Sequence, residues 1–283
     1  MRETVYYQRG ATDPILEDAL VLDIVRQYEL SAGKVKQVDE SGGEARTYAV
    51  DDNIILKVQR PQQLRSSTSL EKEVFFLRQL EQHTDASVPR VLGYGRHETV
   101  EYTCMTRIPG VAAERVKLTH DEKNNLLLAL GRELRKIHDL NQQSFIDNGL
   151  FPQDEPADLA ERLRRRYQNV IRGNNAISQD RQTLALNQIE EILQRMGTPG
   201  GFVALHVNPY MPHVFVDETT HKYSGIIDFG DSYIGHPIFD MWYWSVSSRK
   251  TLLRGYTSEK PVTEAFQTVF ESASAIGKLI ESL

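Results

Sequence analysis

Leu205-His206-Val207-Asn208-Pro209-Tyr210-Met211-Pro212-His213-Val214-Phe215-Val216 is followed, after a polar turn, by Ser224-Gly225-Ile226-Ile227-Asp228-Phe229-Gly230-Asp231. Val214–Val216 and Ser224–Ile227 are strand-like runs flanking Asp217–Lys222. Runs of this kind pair as an antiparallel hairpin. The residue before the first strand and the residue after the second then share one end of the hairpin. The pairing places His213 beside Asp228, with the 206–212 loop next to them. A carboxylate, an imidazole and a polar loop are thus brought to one place.

The chain upstream of this stretch changes texture once. A helical spacing of Leu16, Leu20, Ile24 and Leu30 predicts an amphipathic helix within residues 12–30. Lys34–Val38, Arg46–Val50 and Ile54–Val58, separated by Gly42-Gly43 and Asp51-Asp52-Asn53, read as three antiparallel strands. Thr68-Ser69-Leu70-Glu71 fits a capping box, and Leu70, Val74, Leu77 and Leu80 follow on one helix face. Val91–Gly95 and Glu101–Met105 read as two more strands. From there the chain turns helical, over His120–Leu140, Ala157–Ile171 and Asp180–Met196 and again after Pro237, interrupted by a β insertion at 202–229. The expected fold class is α+β. Residues 1–105 form a β-rich lobe, 106–110 a connector, and 111–283 a helical lobe carrying the loop and hairpin at 202–231. A cleft between two such lobes is a common place for a ligand.

Composition narrows the function. With 283 residues, 40% hydrophobic and 25% charged, the chain is long enough for a sizeable core. A net charge of −6 without a long run of like charge does not indicate a nucleic-acid partner. No apolar stretch of about 18 residues suggests a membrane span, and the polar start Met1-Arg2-Glu3-Thr4 leads into no apolar signal region. The lone Cys104 has no partner for an intramolecular disulfide. A cytoplasmic protein is expected; composition says nothing about oligomeric state.

The order of motifs resembles that of the aminoglycoside-phosphotransferase-like small-molecule kinases, relatives of the protein kinases, over about residues 35–240. In that family a His-x-Asp-x-x-x-x-Asn loop is followed by a hydrophobic strand and Asp-Phe/Trp-Gly. His206 matches the loop histidine, Asn208 stands at the catalytic aspartate, and His213 at the metal-binding asparagine. Asp228 matches the metal-binding aspartate. Asp240 resembles the buried aspartate that holds the loop by its backbone amides. Lys57 resembles the strand lysine that contacts nucleotide phosphates, and Ile55, on the same strand face, is placed to cover a purine. Glu73 is its expected helix partner. It lies on the buried face between Leu70 and Leu77, whereas Glu71 belongs to the cap. Gly42 and Gly43 resemble the phosphate-covering turn. Met105 through Gly110 resembles the lobe connector, where backbone groups of Thr106 and Ile108 would read the adenine edge. The resemblance implies a two-lobed kinase fold, Mg²⁺ held by Asp228 and His213, ATP or GTP as donor, and a small hydroxylated acceptor.

Taken singly, these residues have plainer readings. A strand lysine is usually a solvated edge residue, and the four arginines Arg162, Arg164, Arg165 and Arg166 read as a solvated helix face. His206 and His213 lack a third ligand and the spacing of a zinc site. Three positions depart from the family. Asn208 can accept a hydrogen bond but cannot take a proton. His213 is a poor donor to Mg²⁺. His236 replaces the aspartate of a Gly-Asp-Pro. Three readings of Asn208 stand: a slow kinase or one whose acceptor needs no strong base, a degenerate kinase kept for binding nucleotide or ligand, or an Asp→Asn change made to trap a complex. The charges over 146–200 nearly balance, which argues for a neutral or anionic acceptor over a polycation.

Overall fold

The computed structural model describes residues 3–4, 15–39, 42–60, 69–97 and 100–283. Residues 12–14 of the first expected helix, Ser41 of the glycine turn and Thr68 of the expected capping box lie outside the described residues. The chain divides into two compact units, Met1–Lys117 with Met211–Ser232, and Leu118–Tyr210 with Tyr233–Leu283.

The first unit is built on a sheet of β1 (Glu3–Thr4), β2 (Val35–Asp39), β3 (Ala45–Val50), β4 (Ile54–Gln59), β5 (Val91–His97) and β6 (Val100–Thr106). Their order is β1-β2-β3-β4-β6-β5, antiparallel except for β1 against β2. Alternation decides which face each side chain takes. In β4, Ile54 and Leu56 are buried, while Ile55 and Lys57 share the other, partly exposed face. Helix α1 (Asp18–Arg26) sends Val21 and Val25 against Val35, Val38, Tyr48, Leu56 and Cys104. Burial pushes the Cys104 thiol up to about 12, so it is a core residue with no thiolate to offer.

Helix α2 (Leu70–His83) starts one residue away from the expected cap. Ser69 is the N-cap, its side chain accepting from Lys72 N at 3.2 Å. Glu71 is drawn outward to Arg96 at 3.0 Å. The buried stripe Leu70, Val74, Leu77 and Leu80 is as expected and includes Glu73.

Strand β7 (Val111–Ala112) follows the connector. After α3 (His120–His138), α4 (Gln142–Asn148), α5 (Leu159–Arg172), α6 (Gln179–Gln194) and β8 (Val203–Ala204), the hairpin forms from β9 (Val214–Val216) and β10 (Tyr223–Ile226). It pairs Val214 with Ile226 and Val216 with Tyr223. Asp217 shapes the turn by accepting from Thr219 N at 3.1 Å and Thr220 N at 2.7 Å. The sequence assigns this hairpin to the helical lobe, but β7 pairs with β9 through Val111↔Val216 and Ala112↔Phe215 and draws it into the sheet-bearing unit. Gly110 permits the approach. Its φ is +88°, and a Cβ there would lie 2.0 Å from the Val216 carbonyl oxygen.

The second unit is helical. Thr119 and Glu122 form a reciprocal capping box at the start of α3. Its face of Leu126, Leu127, Leu130, Leu134 and Ile137 is buried, as the periodicity predicts. Helix α3 packs against α8 (Val246–Tyr256) so closely that a Cβ on Gly131 would lie 2.1 Å from the Leu252 carbonyl oxygen. Strand β8 pairs with β11 (Ile234–Gly235), followed by the short α7 (Ile238–Met241). Leu163, Tyr167 and Ile171 of α5 are buried, as are Phe266, Val269 and Phe270 of α9 (Glu264–Glu281). Helix α4 was not expected from the sequence; Asn141 caps it and Gly149 ends it at φ +72°. Among the described residues, no helix is long and apolar enough to cross a membrane.

Candidate active site

In the first unit, strand β4, helix α2 and the exit of the hairpin meet at a chain of charges. Lys57 Nζ donates to Glu73 Oε2 at 2.9 Å and to Asp228 Oδ1 at 2.6 Å. Glu73 is 2% exposed and Lys57 16%, while Asp228 keeps 39% of its side chain in solvent. Burial works against the Lys57 charge, but Asp228 and Glu73 outweigh it and hold the ammonium protonated well above its ordinary range. Burial likewise raises the Glu73 carboxyl, and the Lys57 ammonium pulls in the opposite direction. Glu73 was chosen over Glu71 on helix periodicity, and the geometry makes the same choice.

The second oxygen of Glu73 reaches the hairpin's exit, where Phe229 N donates to Oε1 at 3.3 Å. Phe229 is fully buried, with its ring 4.9 Å from that of Phe76 on α2. Ser232 Oγ donates to the Phe229 carbonyl at 2.6 Å. The Asp-Phe-Gly segment is thus tied to α2 by one carboxylate and one aromatic contact. Asp228 itself sits at φ +75°, a conformation aspartate tolerates better than most residues. His213 stands beside it as the hairpin predicts: Ile227 N donates to His213 O at 3.0 Å, and His213 Nε2 lies 3.5 Å from Asp228 Oδ2.

The connector and the glycine turn are more nuanced. Met105 pairs with Ile55 across β4 and β6. The Thr106 amide is already used, donating to the Arg90 carbonyl at 2.9 Å. Ile108 is buried. Neither Gly42 nor Gly43 has a left-handed φ, and a Cβ on Gly43 would touch nothing within 4 Å among the described residues, none of which demands glycine there.

In the second unit, Asp240 is the organiser. Fully buried, it accepts from His206 N at 2.8 Å through Oδ2 and from Val207 N at 2.6 Å through Oδ1. His138 Nε2 lies 3.0 Å from Oδ2, and His138 Nδ1 lies 3.0 Å from the Tyr256 hydroxyl. His206 Nδ1 then accepts from Asn208 N at 3.2 Å. These bonds fix the loop across Val207, a β-branched residue at φ +82°. Such a backbone costs about 1–3 kcal/mol and persists only where its surroundings over-determine it. Trp244 Nε1 adds a bond to the Pro209 carbonyl at 2.9 Å. His138, Tyr256 and Trp244 were not singled out from the sequence. His138 falls at the end of the α3 periodic face, and nothing in its spacing distinguishes it from a core residue.

His236 is wholly buried, stacked on Phe266 at 5.6 Å with its edge toward Phe202. Its Nδ1 accepts from Ile238 N at 3.1 Å, and its Nε2 has no hydrogen-bond partner among the described residues. Burial, with a contribution from His138, pushes the imidazole down to about 3, so the ring is neutral. A carboxylate at this position would sit against aromatic rings.

The donor set near Asp228 bears on a metal. No group of three or more His, Cys, Asp and Glu side chains is arranged to hold one among the described residues. Asp228 offers a half-exposed carboxylate, which fits Mg²⁺ because that ion commonly takes one or two carboxylates together with substrate phosphates. The His213 nitrogen does not suit it.

Solved structures that superpose on the chain include phosphotransferases. Macrolide 2′-phosphotransferase MphH from Brachybacterium faecium, as the apoenzyme, gives a TM-score of 0.64 at 18% identity over 93% of this chain and 91% of its own. Aminoglycoside 2′-phosphotransferase-IIIa in its GDP complex gives 0.68 at 15% identity over 93% and 90%. ADP-bound aminoglycoside phosphotransferase APH(2″)-Ib gives 0.61 at 17% identity over 93% and 90%. At these identities the likeness is one of fold. No curated protein matches the chain significantly. The sequence pattern of the APH group, the phosphotransferase enzyme family, matches residues 35–259, and with the kinase-like fold in place the chain belongs to that family.

Proposed function

We infer that this protein transfers the terminal phosphoryl group of ATP or GTP to a hydroxyl of a small molecule. The observation that carries this reading is the Lys57 ammonium bonded at once to Glu73 and Asp228. Phosphoryl transfer asks the protein mainly to position the reactants and neutralise charge. Lys57 is suited to grip phosphate oxygens, and Glu73 keeps it in place. Ile55 and Met105, paired across two strands, offer an apolar surface for the base, with the Thr106 carbonyl and Ile108 at its edge. Gly42 and Gly43 would lie over the phosphates. Asp228 would hold Mg²⁺, which supplies charge neutralisation on the transferred group. His213 orients the Asp228 carboxylate and, when protonated, offers a charge to phosphate.

The acceptor falls to the second unit. Asn208 accepts a hydrogen bond from the acceptor hydroxyl and orients it, with its backbone fixed by His206 and Asp240. A neutral amide removes no proton, so the reaction has orientation without basicity at this atom. That same residue favours a second reading, a kinase-like protein that binds nucleotide without turning it over. Nucleotide consumption measured with Mg²⁺ and ATP or GTP over a panel of hydroxylated metabolites and antibiotics separates the two. Acceptor-dependent consumption supports transfer. Thermal stabilisation by nucleotide with no consumption supports the binding module, and no stabilisation by either nucleotide overturns both.

A further inference from the structure

Helix α5 carries four arginines between 162 and 166, and they do not all do the same thing. Arg164 and Arg165 bond to Glu161 and, for Arg164, to Glu190, as a solvated face would. Arg162 and Arg166, one turn apart on the same side, turn onto aromatic rings instead. Arg162 lies 4.7 Å from the ring centre of Tyr233 and 4.9 Å from that of Phe239, and it is neutralised by Asp154. Arg166 lies 4.6 Å from the ring centre of Trp242 and 4.9 Å from that of Tyr243. Unlike Arg162, Arg166 has no hydrogen bond or ion pair among the described residues. Its guanidinium lies over two rings, and its N–H donors have no acceptor among the described residues.

This group adjoins the catalytic-loop position. Tyr243, 41% exposed, stacks on Tyr210 with ring centres 5.0 Å apart. Tyr210 N donates to the Asn208 carbonyl at 2.9 Å. Arg166 is therefore one cation–ring contact, one ring stack and one backbone hydrogen bond from the residue proposed to meet the acceptor hydroxyl. The support is rigid: buried Arg249 donates to the Trp242 carbonyl at 2.9 Å and to the Trp244 carbonyl at 2.7 Å.

We propose that Arg166, with Trp242, Tyr243 and Tyr210, forms an acceptor subsite selecting hydroxyl compounds that carry an oxyanion, a carboxylate or a phosphate. This rests on the phosphotransferase reading for the word acceptor, not for the binding itself. A guanidinium with unused donors recognises oxyanions in bidentate fashion. The aromatic faces that would attract an organic cation are already covered by Arg162 and Arg166, so a polycation finds repulsion in place of an aromatic cage.

The test needs no nucleotide. Trp242 and Trp244 are the chain's two tryptophans, so intrinsic fluorescence reports directly on this group. Gluconate and glycerol 3-phosphate are titrated against their neutral counterparts glucose and glycerol, and against kanamycin as a polycation. Saturable change with either anion and none with the other three is expected, with gluconate and glycerol 3-phosphate separating a carboxylate from a phosphate preference. Arg166→Gln should weaken anion binding roughly tenfold or more, as expected for loss of a charge-assisted contact. Arg166→Lys should recover only part, and the exposed Arg172→Gln should change nothing. Comparable circular dichroism for all variants separates loss of the site from loss of the fold. Kanamycin binding as well as the anions, anion binding indifferent to Arg166→Gln, or no anion binding at all each overturns the proposal. Because no phosphoryl transfer is measured, the subsite survives or fails independently of the kinase reading.

Discussion

The Nζ of Lys57 lies 2.6 Å from Oδ1 of Asp228, although 171 residues separate them. One is a mid-strand residue of the sheet and the other leaves the hairpin. Between them they bring an ammonium and a carboxylate to a single point, the pair on which the proposed function rests. Several consequences of this arrangement and its supports can be measured.

Lys57→Met leaves Glu73 buried without its cation. Breaking a buried pair from one side costs roughly 3–5 kcal/mol, so thermal or urea unfolding should show a large loss. Adding Glu73→Gln should recover part of it, since the amide oxygen can still accept from Phe229 N. If the double variant is no more stable than Lys57→Met, the stranded carboxylate is not the cause. Nucleotide turnover should fall by about 10²–10³-fold in both, the scale of losing one preorganised charge in the transition state.

Asn208→Asp restores a base where the loop now has an amide. The backbone bonds of His206, Val207 and Asn208 do not involve the substituted side-chain atoms, so the loop should keep its shape. Turnover should rise by roughly 10²–10⁴-fold, the range for a general base. Equal rates in steady-state assays would remove this side chain from proton transfer.

Asp240→Asn exchanges one acceptor oxygen for a donor in a site where two backbone N–H groups and His138 converge. At least one buried donor loses its acceptor, at about 1–3 kcal/mol. Val207 is then free to leave φ +82°. Amide hydrogen exchange at residues 206–208 should accelerate, and turnover should fall with it. Unchanged exchange would place the loop's restraint elsewhere.

His236 gives a pH signature. Its imidazole is pushed from 6.5 down to about 3 in the fold by burial and by His138. Between those values the unfolded chain binds a proton that the folded chain refuses. Stability therefore falls as pH drops from 6.5 toward 3, by up to about 1.4 kcal/mol per pH unit from this group. His236→Asn, whose side-chain oxygen can still accept from Ile238 N, should flatten the urea-derived stability profile relative to the unmodified protein over that window. Parallel profiles would show that the ring is protonated in the fold.

What the sequence made legible follows from local periodicity. Strand alternation put Ile55 with Lys57, helix periodicity separated Glu73 from Glu71, and hairpin pairing put His213 beside Asp228. Each inference needs only a regular element and a residue's place in it. What was illegible depends on contacts between irregular segments. The Asp240–His138–Tyr256 chain joins residues 102 and 118 positions apart, and no spacing announces it. The hairpin's pairing with β7 was not legible because β7 is only two residues long. The arginine run misled for a related reason. Composition showed four similar charges, but the rings that divide them come from residues 233–243.

Glu73 uses one oxygen for the ammonium of β4 and the other for the backbone of the Asp-Phe-Gly segment. A single side chain thus works as a coincidence detector. Movement of α2 bears on both grips at once, because both run through this one side chain. Under the proposed function, a ligand or modification that moves that helix acts on the lysine meant for phosphate without touching a nucleotide.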